Sequence, residues 1–200
     1  MNRLLTMLVF LALCAAVAPV SHAVPVVYFT TLSGPAESPP NPSPAGGEAR
    51  VELDTALHSM HVMVDFWDLL GTTTASHIHA ATAVPGVGTA GVATQTPFFT
   101  GFPIGVHSGT YDHIFDTSLA GSWNPSYLTG AGGGSALGAE AALAAALAEG
   151  RAYLNVHSTS YPGGEIRGFL QPVPEPGSLG LLAVGLAGLL GAGWRRRRSS

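Results

Sequence analysis

Short stretches of alternating apolar and polar residues run through the middle of the chain. Residues 47–53 place Ala, Val and Leu at every second position between Glu and Arg, and residues 60–66 repeat the alternation with Met, Val and Phe. A period of two is typical of a strand with one buried face, and Asp54-Thr55-Ala56 supplies a turn between the two stretches. The pattern predicts an antiparallel hairpin packed on a core.

Further short segments between glycine and proline residues have the same character. Val26–Ser33 is rich in β-branched and aromatic residues, and the five prolines within residues 35–44 cannot belong to a central strand, so a loop follows it. The remaining predicted strands are Ser76–Ala80, Val106–Phe115, Ala152–Val156 and Glu165–Leu170. Seven short strands with frequent turns predict an all-β fold, a β-sandwich.

One segment departs from this pattern. Residues 136–149 are rich in alanine, with Leu143 and Leu147 one turn apart, Glu140 near the start and Gly150 just past the end. These are the features of a helix with a start and a stop signal. We therefore expect one short helix inserted in the sandwich and packed over one of its ends.

The first 23 residues have the features of an export signal. Arg3 is followed by an apolar run from Leu4 to Val17, and small residues precede a cleavage position after Ala23. This pattern predicts a secretory signal peptide over residues 1–23, with an N-terminal membrane anchor as the alternative. The single cysteine, Cys14, would leave with the peptide, so the mature chain would have neither a disulfide nor a thiol nucleophile.

The C-terminal 27 residues have the features of a second targeting signal. Pro174, Glu175 and Pro176 precede an apolar stretch over residues 179–194, which we expect to be a transmembrane helix, and four arginines at 195–198 would remain in the cytoplasm. This arrangement resembles the PEP-CTERM sorting signal of Gram-negative bacteria. The resemblance implies an exosortase-type processing enzyme as partner and transient anchoring in the inner membrane. A plain C-terminal membrane anchor is the alternative.

The region between the two targeting signals, residues 24–173, has the length of one domain. It holds three arginines against eleven acidic residues, a formal net charge of −8, and the whole chain has no lysine. Such acidity favours solubility and attraction of cations, and it excludes nucleic acid as a partner.

Four segments of this region together resemble the CHRD domain, first described in the extracellular protein chordin. They are residues 32–40, residues 47–54, the stretch Ala75-Ser76-His77-Ile78-His79, and residues 152–158 together with 162–168. The resemblance implies an immunoglobulin-like, Greek-key β-sandwich outside the cell. We expect an exported binding or structural module of the cell envelope or extracellular matrix, with exopolysaccharide or matrix components as partners, and no enzymatic activity.

Histidine is the chemically distinctive residue of this domain, which contains seven of the eight in the chain. His77 and His79 flank Ile78 on a predicted strand, so both imidazoles point to one face. His157 could add a third nitrogen, and His107 or His113 a fourth. Neutral imidazoles suit copper and zinc. The sequence thus leaves two interpretations: a copper or zinc site at His77, His79 and His157, or histidines that only form hydrogen bonds inside the sandwich.

The same histidine pattern, with the later Gly-Gly-x-x-Arg-Gly segment, is also similar to copper–zinc superoxide dismutase. The cysteine pair, the zinc loop and the long active-site loop of that enzyme have no counterpart, so its activity is not expected here. Glu165 and Arg167 lie two apart on one predicted strand and would face the same side. We expect them to form an ion pair that closes the hairpin around Pro162-Gly163-Gly164.

Overall fold

The computed structural model describes residues 24–174, and within this range the chain forms eight strands and two α-helices. The strands are β1 (Val26–Ser33), β2 (Gly46–Asp54), β3 (Ser59–Trp67), β4 (Thr73–His79), β5 (Gly109–Asp116), β6 (Tyr153–Ser158), β7 (Ile166–Phe169) and β8 (Gln171–Pro172). All seven strands predicted from the sequence are present, with ends that differ by at most three residues, and β8 is additional.

All strand pairs are antiparallel and belong to one curled sheet with the order β4-β6-β7-β1-β2-β3-β5, while β8 pairs with the free part of β1. The backbone between the ends of the sheet closes it on itself. Thr73 N–H donates to the carbonyl of Val106 at 2.8 Å, and Leu69 N–H donates to the carbonyl of His107 at 3.0 Å. The predicted all-β sandwich with one short helix is confirmed.

The alternation along β2 and β3 decides which face forms the core. The inward residues of these strands are at most 3% exposed; they are Ala49, Val51, Leu53, Met60, Val62, Val64 and Phe66. Ile78 of β4, Leu154 of β6 and Ile166 of β7 are fully buried in the same core. Their strand neighbours therefore point to the opposite face of β4, β6 and β7, where the histidines lie.

The predicted helix is α2 (Ala136–Ala148), and Ser135 caps its N-terminus by accepting a hydrogen bond from Gly138 N–H. Leu143 and Leu147 are fully buried, as their spacing predicts. A shorter helix, α1 (Pro125–Thr129), was not predicted. Its start signal was present in the sequence as Asn124 followed by Pro125, a preferred N-cap and first-turn pair.

Neither helix in residues 24–174 is long and apolar enough to cross a membrane. The predicted signal peptide over residues 1–23, the transmembrane helix over residues 179–194 and the arginine tail lie outside the described residues. So do Glu175 and Pro176 of the predicted sorting motif.

Candidate metal centre

Two neighbouring strands bring three histidines to one face of the sheet. His77 and His79 lie two residues apart on β4, and His157 lies on β6, opposite Ala75. Alternate residues of a strand share a face, so all three imidazoles point away from the core that holds Ile78. One ring nitrogen from each histidine lies within 4.8 Å of the other two.

Backbone carbonyls fix the orientation of all three rings. His77 Nε2 lies 2.6 Å from the carbonyl of Pro97, His79 Nδ1 lies 2.9 Å from that of Ala90, and His157 Nδ1 lies 2.8 Å from that of Pro162. A carbonyl oxygen can only accept, so each of these nitrogens carries the hydrogen of the neutral ring. The other nitrogen of each ring therefore presents a lone pair.

These three lone pairs have no hydrogen-bond partner. The nitrogens are His77 Nδ1, His79 Nε2 and His157 Nε2, and each is buried. A histidine that serves only to hydrogen-bond inside a sandwich has partners at its buried nitrogens. A carbonyl on one ring nitrogen and a free lone pair on the other is the arrangement of a metal-ligating histidine.

The dimensions suit a transition metal after the three rings move together. In a tetrahedral site, zinc–nitrogen bonds of 2.0–2.1 Å hold two ligand nitrogens about 3.4 Å apart, so two nitrogens at the 4.8 Å limit must approach each other by about 1.4 Å. Rotation about the side-chain torsions supplies this movement. Neutral imidazoles without a competing thiolate are ligands for zinc and copper.

Burial keeps the imidazoles uncharged, which metal binding requires. Burial is the main cause that lowers the pKa of His77 to about 4; the Pro97 carbonyl opposes this decrease, and the neighbouring His157 and His79 contribute to it. Burial also lowers the pKa of His79 and of His157 below their usual range. At neutral pH the three rings therefore do not have to release protons before a cation binds.

A stack of side chains supports the cluster from one side. The Tyr153 ring lies parallel to the His79 ring, with centroids 4.8 Å apart and planes 4° apart. The guanidinium of Arg167 lies over Tyr153, 4.8 Å from the ring centroid. Arg167 is held in turn by the carbonyls of Ala36 and Gly88, at 2.5 and 3.0 Å.

The prediction of an ion pair between Glu165 and Arg167 is wrong. Arg167 Nε instead lies 3.7 Å from a carboxylate oxygen of Glu37. Glu165 precedes β7 and is fully buried, where it accepts hydrogen bonds from other parts of the chain. The two side chains therefore have separate partners, because strand alternation does not extend back to Glu165.

The two candidates for a fourth histidine ligand lie elsewhere. His107 Nδ1 contacts the carbonyl of Leu69 at 2.7 Å, where the ends of the sheet meet. His113 lies on β5 and packs edge-on against Phe115, with centroids 4.6 Å apart. In residues 24–174 only His77, His79 and His157 form a group of three or more residues that could hold a metal ion.

Two polar residues beside the cluster were not predicted. Asn155 pairs with His77 across the strands and is 2% exposed. Its signal was present, because Tyr153, Asn155 and His157 alternate along one strand and so share the histidine face. Glu37 is 7% exposed. It comes from the proline-rich loop after β1, and no spacing in the sequence connects it to the histidines.

Comparison with known proteins supports the two resemblances. The model of the CHRD domain family matches residues 28–170, and the model of the PEP-CTERM protein-sorting motif matches residues 172–198. The first range contains every residue of the histidine cluster and its supporting stack. No significant match is found among the curated proteins or the solved structures.

Proposed function

Because the chain belongs to the CHRD domain family and carries a PEP-CTERM sorting motif, we propose that it is an exported metal-binding module of the cell envelope. The motif implies processing by an exosortase-type enzyme, export, and transient anchoring at the membrane through the C-terminus. The metal would be copper or zinc, bound by the sandwich domain.

One observation carries the metal proposal. His77 Nδ1, His79 Nε2 and His157 Nε2 are buried lone pairs without partners, and one nitrogen from each residue lies within 4.8 Å of the others. Leaving a buried polar atom unpaired costs about 1–3 kcal/mol. A bound cation removes this cost at all three nitrogens together, whereas hydrogen bonds within the sandwich leave it in place.

Metal titration of the full chain tests the proposal. After purification in detergent and treatment with chelator, we expect one Cu(II) or Zn(II) ion per chain, bound more tightly than about 10 μM. His77→Ala and His79→Ala should each abolish this binding. His61→Ala is the matched control, because His61 lies on a strand but pairs with Asp112 at 2.7 Å on another part of the sheet. Binding that survives both cluster variants would contradict the proposed ligands.

The role of the module at the envelope is a separate part of the proposal. The sorting motif supports a position outside the cell, where exopolysaccharide or matrix components are the partners that we propose. Sedimentation of the exported protein with isolated exopolysaccharide, at raised and at low salt, tests this partner. No sedimentation above that of an unrelated acidic protein would contradict it.

A further inference from the structure

Five buried polar atoms in the described part of the chain have no hydrogen-bond partner, and they belong to one neighbourhood. Three are the histidine nitrogens described above. The other two are Asn155 Oδ1 and Glu37 Oε1. Native proteins leave few such atoms, and a group of them in one place indicates a missing ion, water or ligand.

A metal ion at the three nitrogens does not satisfy the two oxygens. An amide oxygen and a carboxylate oxygen each accept hydrogen bonds, and they need a donor close to the metal. Catalytic zinc sites keep one coordination position for water beside three protein ligands, whereas structural zinc sites are closed by four. A metal-bound water supplies hydrogen atoms where no side chain does.

Asn155 is well placed to receive such a hydrogen. It lies directly across from His77 and two residues from His157 on the same strand, so its side chain shares the histidine face. Its amide oxygen and the free nitrogens of the three histidines form no hydrogen bond with one another. The amide therefore adjoins the cluster without occupying any of its lone pairs.

Glu37 lies behind Asn155, at the wall of a groove. A methyl group on Gly164 would lie 2.6 Å from Glu37 Oε1 and 2.9 Å from Asn155 Nδ2, so both side chains reach over this glycine. Glu37 and Gly164 also line a groove of about 470 Å³, together with Pro162, whose carbonyl orients His157. The groove therefore reaches Glu37 and Gly164, which lie between it and Asn155.

Resting on the proposed metal site, we propose that its fourth coordination position is open and holds an exchangeable water. Asn155 Oδ1 accepts a hydrogen bond from this water, and Glu37 Oε1 accepts from the solvent behind it. The groove is the route by which small molecules replace the water. Because Asn155 Oδ1 is an acceptor, the position favours ligands that donate hydrogen bonds over ligands that only accept them.

The full chain loaded with one Cu(II) ion tests this proposal by two measurements. The first is the longitudinal relaxation of bulk water protons, which a bound exchanging water accelerates. The second is titration with azide, followed by electron paramagnetic resonance. We expect azide to shift the copper spectrum and to lower the relaxation rate, because it displaces the water.

Two variants of Asn155 give opposite expected results. Asn155→Leu removes an acceptor that disfavours azide, so azide should bind about fivefold more tightly, the size of one net hydrogen bond. Asn155→Asp adds a negative charge and should weaken azide binding by at least as much. A purely structural role of Asn155 would not move the azide affinity in opposite directions in these two variants.

The outcomes separate the two proposals. Failure of the wild-type chain to bind copper overturns the proposed function. Copper binding with a relaxation rate that azide does not change, or with no azide shift, overturns the open position and leaves the metal site standing. A relaxation rate that rises in Asn155→Leu would show that Asn155 is itself a ligand and overturns it as well. If Asn155→Leu does not fold, the wild-type and Asn155→Asp measurements still test whether the fourth coordination position is open.

Discussion

Tyr153 lies flat against His79, with ring planes 4° apart, and its hydroxyl lies 3.3 Å from the backbone nitrogen of Ala90. Ala90 also supplies the carbonyl that orients His79. The tyrosine therefore touches the proposed ligand through its ring and the loop that fixes this ligand through its hydroxyl. Tyr153 is a positioning residue for His79 rather than a ligand.

This contact gives a prediction about metal affinity. Tyr153→Ala should weaken Cu(II) or Zn(II) binding by about 10- to 100-fold, as loss of a residue that supports a ligand commonly does. Tyr153→Phe keeps the stacked ring and should change the affinity by less than about threefold, the scale of a weak hydrogen bond. Titration calorimetry on the full chain measures both. Equal losses in the two variants would assign the effect to the hydroxyl and contradict the role of the stack.

The buried imidazoles predict a loss of stability in mild acid for the metal-free protein. The pKa of His77 is about 4 in the folded chain against about 6.5 when unfolded. Between these values the unfolded state binds more protons, so stability falls as the pH falls from 6.5 to 4, by up to about 3 kcal/mol. The lowered pKa values of His79 and His157 act in the same direction.

Glu37 opposes this loss over the same range. Burial raises the pKa of Glu37 to about 7, despite the opposing effect of Arg167. Its contribution to the free energy of unfolding is therefore fully present below its unfolded pKa and is lost as the pH rises through 7. Glu37→Gln removes this contribution. Urea denaturation in the presence of chelator at pH 7, 6, 5 and 4 should show a larger loss in the variant than in the wild type. An equal or smaller loss of stability in Glu37→Gln than in the wild type would contradict the opposite effects that we assign to Glu37 and the histidines.

The strands and the helix were accessible to sequence analysis because their signals are local. A period of two marked β2 and β3, and the alanine-rich stretch with its flanking glycine marked α2 to within a residue. The same rule placed His77 and His79 on one face of β4. Local spacing thus determined both the fold class and two of the three proposed ligands.

The surroundings of the cluster were not accessible in this way. The carbonyls of Ala90 and Pro97 come from the loop after β4, and Glu37 comes from the loop after β1. Loop paths depend on tertiary packing rather than on periodicity. The wrong pairing of Glu165 with Arg167 has the same origin, since their actual partners lie more than 70 residues away in most cases.

Glu165 provides a prediction about folding stability. Its carboxylate is fully buried and accepts hydrogen bonds from Ser43 Oγ at 2.6 Å, from Leu70 N–H at 2.7 Å, and from Ser158 Oγ. Burial alone would raise its pKa, but these hydrogen bonds together hold the pKa below its usual range. The carboxylate joins the loop before β2, the segment before β4 and the end of β6.

Glu165→Ala leaves these donors buried without an acceptor. We expect the free energy of unfolding to fall by at least about 3 kcal/mol, as for other buried charged groups that lose their partners. Glu48→Ala, an exposed position on β2, is the control and should change it by less than about 0.5 kcal/mol. Urea denaturation monitored by tryptophan fluorescence measures both. Similar effects of the two substitutions would contradict the importance of this carboxylate.

The end of the sheet leads to a prediction about processing. Val173 N–H donates to the carbonyl of Val27 at 2.8 Å, and β8 pairs with β1 immediately before Pro174. The Pro-Glu-Pro segment thus begins at the residue after this hydrogen bond, whereas the match to the sorting-motif family begins two residues earlier, at residue 172. Cleavage at or beyond Pro174 leaves the β1–β8 pairing intact.

We therefore expect the exported protein to end near the Pro-Glu-Pro motif and to keep the thermal stability of the uncleaved domain. Terminal mass spectrometry of protein isolated from the cell surface measures the cleavage position. Arg198 still attached in that form would contradict processing.

Val173→Pro removes the donor to Val27 and should lower the melting temperature by a few degrees, since one lost hydrogen bond costs about 1 kcal/mol. An unchanged melting temperature would show that this last hydrogen bond does not stabilise the domain.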